Sequence, residues 1–499
     1  MRALSPAPWA RKFLGMAAFV AVAFPAAAGP PDAPTVETRP EFPLAAPGRE
    51  ARLEARLRDL EARVAALSGG VGPVPARPAP TPAPAPTNAR FDSPAPVAPV
   101  PLKAVFGPGF ELKSADDEFQ WQFHTLTQVD ARVFRQGGQD PVKDTFAVPR
   151  QWYIFSGRVT KPFEYLVSCA HAFGGTSLLD AWVNVHFDDR FQVKAGRYFV
   201  PFTFEPYVLP VHALITPEFS LFFNNFEPNR DLGVMAWGRL ARNRIDYAAG
   251  VFNGTKNGFV DDNNAKDVIG FLNTKPFLKA GIPALENLNV GGSVDFGDQA
   301  NAPNPQTLRT TVSIPGNSTI GVSFLSFNNN VRESGARALW SLHAAYYYRG
   351  LSLIGEWDGG TQGYSGGGVP TRTRLPVRSF YVEAGYFLTG ETVSARGVVR
   401  PRRPFDLRKG RAGPGAWELA GRYNFLGLGG EVFSHGLADP NLWSDRVATV
   451  DLGLNWYWNP SVKVAAFWEH AEFGQPVVYR RGASQGTSDL FLVRVQLRF

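Results

Sequence analysis

Strict two-residue alternation of apolar and polar side chains constrains this chain more than any other feature of its sequence. It recurs from about residue 110 to the end, in segments of roughly ten residues separated by Gly, Asn, Asp and Pro. Successive side chains of a strand point to opposite faces. In the last segment one face is apolar, with Phe491, Val493, Val495, Leu497 and Phe499. The other face carries Leu492, Arg494, Gln496 and Arg498. The pattern predicts β-strands.

The composition of the two faces indicates which one contacts lipid and which one contacts water. The apolar face is large and aromatic, and the other face carries charge without an evident partner in the segment, which suits lipid outside and water inside. Tyr and Trp crowd segment ends, as in Trp152-Tyr153 and Trp456-Tyr457-Trp458, where an interfacial girdle would place them. Behind the N-terminus no run of 18 apolar residues could span a membrane as a helix. We therefore predict an all-β, antiparallel transmembrane β-barrel over residues 105–499.

The number of segments sets the width of the barrel. Seventeen segments can be counted, one of them starting near residue 319. Single-chain bacterial barrels have even strand numbers, so either one segment is wrong or an eighteenth is hidden. A barrel of 16 to 18 strands is wide enough for an aqueous channel.

Three N-terminal segments precede the barrel. Residues 1–28 have a basic start, an apolar core and the small residues Ala26-Ala27-Ala28 before Gly29, which predicts a cleaved Sec-type signal peptide and export. Residues 49–68 contain a heptad seam that predicts a short coiled coil, with a surface-bound amphipathic helix as the alternative. Residues 69–104 form a Pro/Ala-rich linker, with 11 Pro and 7 Ala between Val71 and Pro101. Coiled coil and linker together suggest an extension that contacts the cell wall.

Catalytic and metal chemistry find little support in the sequence. The single cysteine, Cys169, excludes an intrachain disulfide, and the seven His show no paired spacing typical of a metal site. No GxSxG-type nucleophile elbow is present. We expect no enzyme activity, no metal or other cofactor, and no nucleic-acid partner.

Five stretches between residues 105 and 499 resemble the phosphate-selective porin O and P family. They are Gly196-Arg-Tyr-Phe-Val-Pro-Phe-Thr-Phe-Glu205, Asn229-Arg-Asp-Leu-Gly233, Tyr247-Ala-Ala-Gly-Val-Phe-Asn-Gly254, Gly415-Ala-Trp-Glu-Leu-Ala-Gly-Arg-Tyr423 and Leu452-Gly-Leu-Asn-Trp-Tyr-Trp-Asn-Pro460. The terminal Phe499 is typical of outer-membrane barrels and adds to the match. The resemblance implies a 16-stranded homotrimeric barrel in the outer membrane, in contact with lipid and lipopolysaccharide, with one loop folded inward. It also implies small anions such as phosphate as solutes.

Fixed cations on the polar face are the candidates for anion selectivity. Strand parity selects Arg132, Lys194, Arg422, Arg494 and Arg498 as pore-lining residues. The resemblance adds Arg150, at the position of an arginine-rich strand start. Cations in a narrow, low-dielectric channel raise the local anion concentration, and arginine offers bidentate geometry to oxyanions.

The stretch from Glu205 to Asn229 lies where the family places its inward loop. Its candidate residues are Glu205, His212 and Glu218, and it contains no Lys or Arg. Phosphate-specific members of the family carry a lysine in this loop. This departure favours an anion-preferring or general pore over strict phosphate selectivity, with His212 as a pH-dependent substitute.

A basic loop between Leu388 and Gly415 has two open interpretations. Its candidate residues are Arg400, Arg402, Arg403, Arg408 and Lys409. They could form an anion-collecting mouth, or they could bind acidic lipopolysaccharide. For the whole chain, passive diffusion of small hydrophilic solutes is the leading hypothesis. The alternative is a structural tether that uses the barrel only as an anchor.

Overall fold

The computed structural model describes residues 100–107, 109–135, 142–172, 175–311, 321–367, 369–408, 413–480 and 483–499, together with 58, 59, 62 and 63. Two units are separated at residues 96 and 97. In the first, the four described residues are helical. The predicted signal peptide, most of the coiled coil and residues 69–99 of the linker lie outside the described residues and stay predictions.

The second unit is built almost entirely from strands, as the alternation predicts. In chain order they are β1 Leu102–Phe106, β2 Phe110–Ser114, β3 Gln120–Arg135, β4 Thr145–Thr160, β5 Phe163–Ala172, β6 Gly175–Asp188, β7 Phe191–Phe199, β8 Arg230–Leu240, β9 Ile245–Phe252, β10 Asp267–Thr274, β11 Asn289–Gln299, β12 Thr307–Arg309, β13 Ser323–Ser326, β14 Arg332–Tyr348, β15 Leu351–Gly366, β16 Val369–Phe387, β17 Ala416–Leu428, β18 Arg446–Tyr457, β19 Val462–Arg480 and β20 Ala483–Arg498. Strand β1 begins inside the predicted linker range of 69–104.

The helical segments are short and lie in connections. They are α1 Phe204–Tyr207, the 3₁₀ turn Val211–Ala213, α2 Leu221–Asn225 and α3 Glu431–Ser434. Among the described residues no helix is long and apolar enough to cross a membrane.

The barrel closes where the last strand pairs with the third. Strand β20 is antiparallel to β3, with Arg494 opposite Asp130 and Phe491 opposite Val133. The main sheet has 18 strands. Two of them, β1 and β2, are not part of the closed wall. Strand β2 pairs with residues 120–123 at the start of β3, whereas β20 pairs with residues 126–135 of the same strand, and β1 pairs only with β2. The wall is therefore a closed antiparallel barrel of 16 strands, and the predicted number is confirmed.

One predicted segment is not a wall strand. The segment predicted to start near residue 319 corresponds to β13, which pairs with β12 in a separate two-stranded sheet. Its residues Phe324 and Leu325 are buried. The run is extended, as predicted, but it belongs to the connection between β11 and β14.

The two faces of the wall differ in exposure as the alternation predicts. On β20, Val493 and Val495 are 48% and 47% exposed, whereas Leu492 and Arg494 are 4% and 3% exposed. Apolar side chains that are exposed in the isolated barrel can contact lipid, and the charged ones face inward.

The barrel has two distinct ends. At the termini end β3 begins and β20 ends, and three hairpins there have two-residue turns, at 161–162, 189–190 and 349–350. The constriction loop (residues 200–229) enters from the opposite end, between β7 and β8. The termini-side loop (residues 388–415) connects β16 and β17 at the termini end.

Candidate pore constriction

The constriction loop is packed inside the barrel. Phe202, Phe204 and Phe222 are 0–1% exposed, and Tyr207 contacts Phe271 of β10 with ring centroids 4.9 Å apart. Helix α2 begins at an N-cap, Ser220, whose hydroxyl accepts from the Phe223 amide. Burial of this aromatic segment fixes the loop across the lumen.

Five wall side chains and one side chain of the termini-side loop donate hydrogen bonds to backbone carbonyls of the constriction loop. The donors and their acceptors are Gln496 to His212 O (3.1 Å), Arg396 to Ala213 O (3.1 Å), Lys463 to Leu214 O (2.8 Å), Asn455 to Ile215 O (2.8 Å), Arg494 to Pro217 O, and Arg422 to Glu218 O (2.7 Å). Four of the six donors are cations. Charged donors make stronger hydrogen bonds than neutral ones, so these residues position the loop.

Glu218 lies at the centre of an arginine cluster. Its carboxylate contacts Arg150 at 2.7 Å, Arg132 at 3.5 Å, and Arg494. Asp130 completes the cluster, 2.6 Å from Arg494 and 2.9 Å from Arg132. The surrounding guanidinium groups outweigh the effect of burial and hold the pKa of Glu218 down at about 2. The carboxylate therefore stays ionised at physiological pH.

Glu205 lies in the opposite electrostatic environment. It is fully buried, and its Oε2 accepts from the Ser220 amide at 2.8 Å. Burial raises the pKa of Glu205 to about 7; Glu356 adds to the rise, and Arg422 opposes it. Glu356 is itself buried and accepts from the amides of Phe204 and Glu205. The loop therefore meets β15 and β16 at a group of buried carboxyls.

His212 does not supply the positive charge that the absent lysine would have supplied. Its ring is mostly buried beside Arg498 and Lys463. Burial, with these two cations adding to its effect, lowers the pKa of His212 to about 3. The imidazole is therefore neutral at physiological pH, which argues against its predicted role as a pH-dependent cation.

The predicted pore-lining cations fall into two groups. Arg132, Arg150 and Arg494 form the cluster around Glu218, and Arg422 pairs with Asp451 at 3.0 Å. These four are nearly fully buried and bound to carboxylates. Lys194 and Arg498 are the second group: each is only partly buried, and neither forms an ion pair among the described residues.

The termini-side loop also folds into the mouth of the barrel. Arg396 donates to Glu418 at 2.6 Å and 3.2 Å, to the Tyr457 hydroxyl at 3.3 Å, and to Ala213 O of the constriction loop. The candidates Arg400, Arg402, Arg403 and Arg408 are exposed, and Arg408 pairs with Asp406 at 2.8 Å. The candidate Lys409 lies outside the described residues.

Residues outside the predicted set complete the constriction. They are Asn455, Lys463 and Gln496, which bind loop carbonyls, and Glu356, Glu383 and Glu418, which face the loop or its neighbours. The alternation of side chains along each strand predicts that these residues point into the barrel. Only the position of the constriction loop shows which of the inward residues contact it. In the described part of the chain, no group of three or more His, Cys, Asp or Glu side chains could hold a metal ion.

A closed antiparallel barrel of 16 strands with a loop folded across its lumen defines an outer-membrane porin. The chain belongs to the phosphate-selective porin O and P family, whose model matches residues 126–498. The family prediction is thereby confirmed, as is the outer membrane as its location.

The solved structures that match this chain are distant in sequence. An anion-selective porin from Comamonas acidovorans matches with a TM-score of 0.46 and 11% identity, covering 77% of this chain and 100% of that chain. The outer-membrane channel DcaP of Acinetobacter baumannii gives 0.45 and 9%, covering 78% and 99%. A loop L8 deletion mutant of OmpT from Vibrio cholerae gives 0.47 and 9%, covering 77% and 100%. No curated protein sequence matches this chain.

Proposed function

We propose that this porin passes small hydrophilic solutes passively and prefers anions, phosphate among them. The observation that carries the proposal is a cavity of about 390 Å³ at the termini end, lined by both Arg400 and Arg498. Among the described residues neither guanidinium forms an ion pair. Two uncompensated cations beside one aqueous space raise the local anion concentration there. The three arginines around Glu218, by contrast, are largely offset by the carboxylates of Glu218 and Asp130.

Strict phosphate selectivity is not part of this proposal. The constriction loop carries no Lys or Arg, and His212 is neutral at physiological pH. The proposed preference is for negative charge in general. A homotrimer, which membership of the family suggests, is part of the same proposal.

The position of the termini-side loop, which carries the basic residues, indicates on which side of the membrane it lies. Outer-membrane barrels have short periplasmic turns and longer extracellular loops. At the termini end, five of the seven connections between the described wall strands have four residues or fewer, whereas at the opposite end five of the eight have nine residues or more. We infer that the termini end faces the periplasm and that the termini-side loop collects solutes there. Lipopolysaccharide occupies the other side of the membrane, so this arrangement favours the anion-mouth interpretation over the lipopolysaccharide one.

The reversal potential of single channels under a KCl gradient tests the anion preference. We expect the sign that favours chloride, and a smaller preference in the double variant Arg400→Gln/Arg498→Gln because two uncompensated charges are removed. The matched control is Arg242→Gln/Arg349→Gln, which removes two exposed charges from turns at the same end. A potential that favours potassium in the wild type would overturn the proposal. If phosphate blocks the chloride current, the proposed anion preference becomes a preference for phosphate.

The preference should also depend on pH. As pH rises through 7, Glu205 loses its proton, because its pKa in the folded protein is about 7. The new negative charge faces Glu356 and Glu383, so chloride permeability relative to potassium should fall between pH 6 and pH 8. Glu205→Gln should make this step smaller, because one of the buried carboxyls that face each other is removed. Glu218 cannot produce it, because its pKa is near 2. An equal pH slope in wild type and variant would assign the titration to another group.

A further inference from the structure

A second cavity, of about 650 Å³, lies on the termini side of the constriction loop. Its walls come from β7 to β11 and β14, from Phe204 and Tyr207–Leu209 of the constriction loop, and from Ser394–Arg396 of the termini-side loop. Its volume lies within the range of sites that bind small organic molecules. Two inward loops and the wall therefore enclose a space larger than an inorganic oxyanion requires.

One cation faces this cavity from a ring of aromatic side chains. The Lys194 ammonium lies 4.3 Å from the ring centroid of Trp182, 5.1 Å from Trp237 and 5.4 Å from Tyr198. Aromatic faces attract a cation but carry no formal negative charge. Among the described residues no carboxylate forms an ion pair with Lys194. Its positive charge is held in place without being neutralised.

The carboxylates nearest to Lys194 are already engaged elsewhere. Asp180 pairs with Arg230 at 2.9 Å, and Glu164 accepts from Asn184 at 2.9 Å. At the mouth of the cavity, Asp246 pairs with Lys275 at 2.7 Å, while Arg239 and Glu286 lie on the solvent side. Glu164 keeps its negative charge, because Asn184 is neutral, but neither Glu164 nor Asp180 lines the cavity, whereas Lys194 does. The charge that a ligand deep in the cavity contacts directly is therefore positive.

The rest of the deep lining is mainly aromatic and aliphatic. Phe204, Tyr207, Leu209, Trp237, Phe271 and Tyr347 contribute to it. The Trp237 indole donates to Asn184 at 3.0 Å, which fixes the orientation of its ring. A bound phosphate would leave these apolar surfaces in contact with water. A ring that carries one carboxylate would cover them and place its charge beside Lys194.

We propose that this cavity binds small aromatic monocarboxylates, with the carboxylate on Lys194 and the ring against Trp237 and the constriction loop. The inference rests on the proposed function, because it names a class of solute for the same anion-preferring pore. It differs from simple anion preference in requiring both the charge and the ring.

Current block in planar bilayers tests the two requirements separately. Benzoate carries both, acetate has the charge without the ring, and benzyl alcohol has the ring without the charge. With the full-length protein, benzoate should interrupt the KCl current at concentrations at least about tenfold below those at which acetate or benzyl alcohol does so. Equal potency of benzoate and acetate would overturn the proposal, and it does so without any variant.

Variants then locate the site. Lys194→Gln should weaken benzoate block by about tenfold, and Trp237→Leu should weaken benzoate block without changing the effect of acetate. Lys161→Gln, in an exposed two-residue turn at the same end, is the matched control. Benzoate block that is unchanged in Lys194→Gln would overturn the assignment. Heat-modifiable electrophoretic mobility establishes that each variant has folded.

A binding measurement separates this inference from the proposed function. Quenching of tryptophan fluorescence in the detergent-solubilised protein by benzoate, and its loss in Lys194→Gln, reads occupancy of the cavity without any current. A channel that favours potassium but binds benzoate would contradict the proposed anion preference alone. A chloride-favouring channel that shows neither block nor quenching by benzoate would contradict only this inference.

Discussion

Glu218→Gln should change ion selectivity more than any other single substitution in the constriction. The carboxylate contacts Arg132, Arg150 and Arg494 within one buried cluster, and without it Asp130 alone would remain to offset three positive charges. The chloride-to-potassium permeability ratio should rise on the order of tenfold, the lower end of what focused charge does to local counter-ion concentration. Removing one member of a buried ion pair should also cost about 3–5 kcal/mol of stability.

The measurements are the reversal potential under a KCl gradient and the urea midpoint for loss of heat-modifiable mobility. Asp262→Asn is the matched control, because it removes one carboxylate from an exposed loop at the opposite end. A variant with unaltered selectivity and midpoint would show that Glu218 neither neutralises the cluster nor anchors the loop.

Arg396→Ala should open the termini end of the barrel. Arg396 is the only side chain of the described part of the termini-side loop with a hydrogen bond to the constriction loop, at Ala213 O, and it also binds Glu418 and Tyr457. Without it the termini-side loop loses its attachment, and Glu418 loses its closest cationic partner. Single-channel conductance should rise at least about twofold with more frequent current fluctuations, because a segment that narrows the mouth is released.

Two further variants separate charge from geometry. Arg396→Lys keeps a cation but not the two parallel bonds to Glu418, so it should fall between wild type and Arg396→Ala. Leu407→Ala, which changes an exposed and uncharged residue of the same loop, should behave like the wild type. Wild-type conductance and noise in Arg396→Ala would show that the loop stays in place by its apolar contacts alone.

Much of the wall could be predicted from the sequence, because strand alternation is local. The inward direction of Arg132, Arg422 and Arg494 follows from counting by two along each strand. The prediction of a wall strand near residue 319 was wrong, because an extended apolar run in a connection has the same local pattern as a wall strand. Only the pairing partner distinguishes the two, and it lies far away in the chain.

The arrangement inside the barrel could not be predicted in the same way. Arg494 and Glu218 are 276 positions apart, and Lys463 and Leu214 O are 249 apart. The sequence shows cations without partners in their own segment, whereas the structure shows that many of these cations bind the constriction loop. With seventeen segments counted, the end of the barrel at which the basic loop lies was also undetermined, because one extra strand reverses the ends.

The β1–β2 pair, which is attached to the start of β3, has a mechanical consequence. Strand β1 runs away from the termini end beside β2, with Leu102 opposite Ser114 and Phe106 opposite Phe110. Antiparallel hydrogen bonds are perpendicular to the strands, so tension on residue 102 along the direction of β1 loads all the bonds of this pair together, in shear, instead of unzipping them one by one. A pulling force applied to residue 102 from the preceding chain would therefore act on the β1–β2 hydrogen bonds in shear, the loading direction in which a strand pair resists separation most.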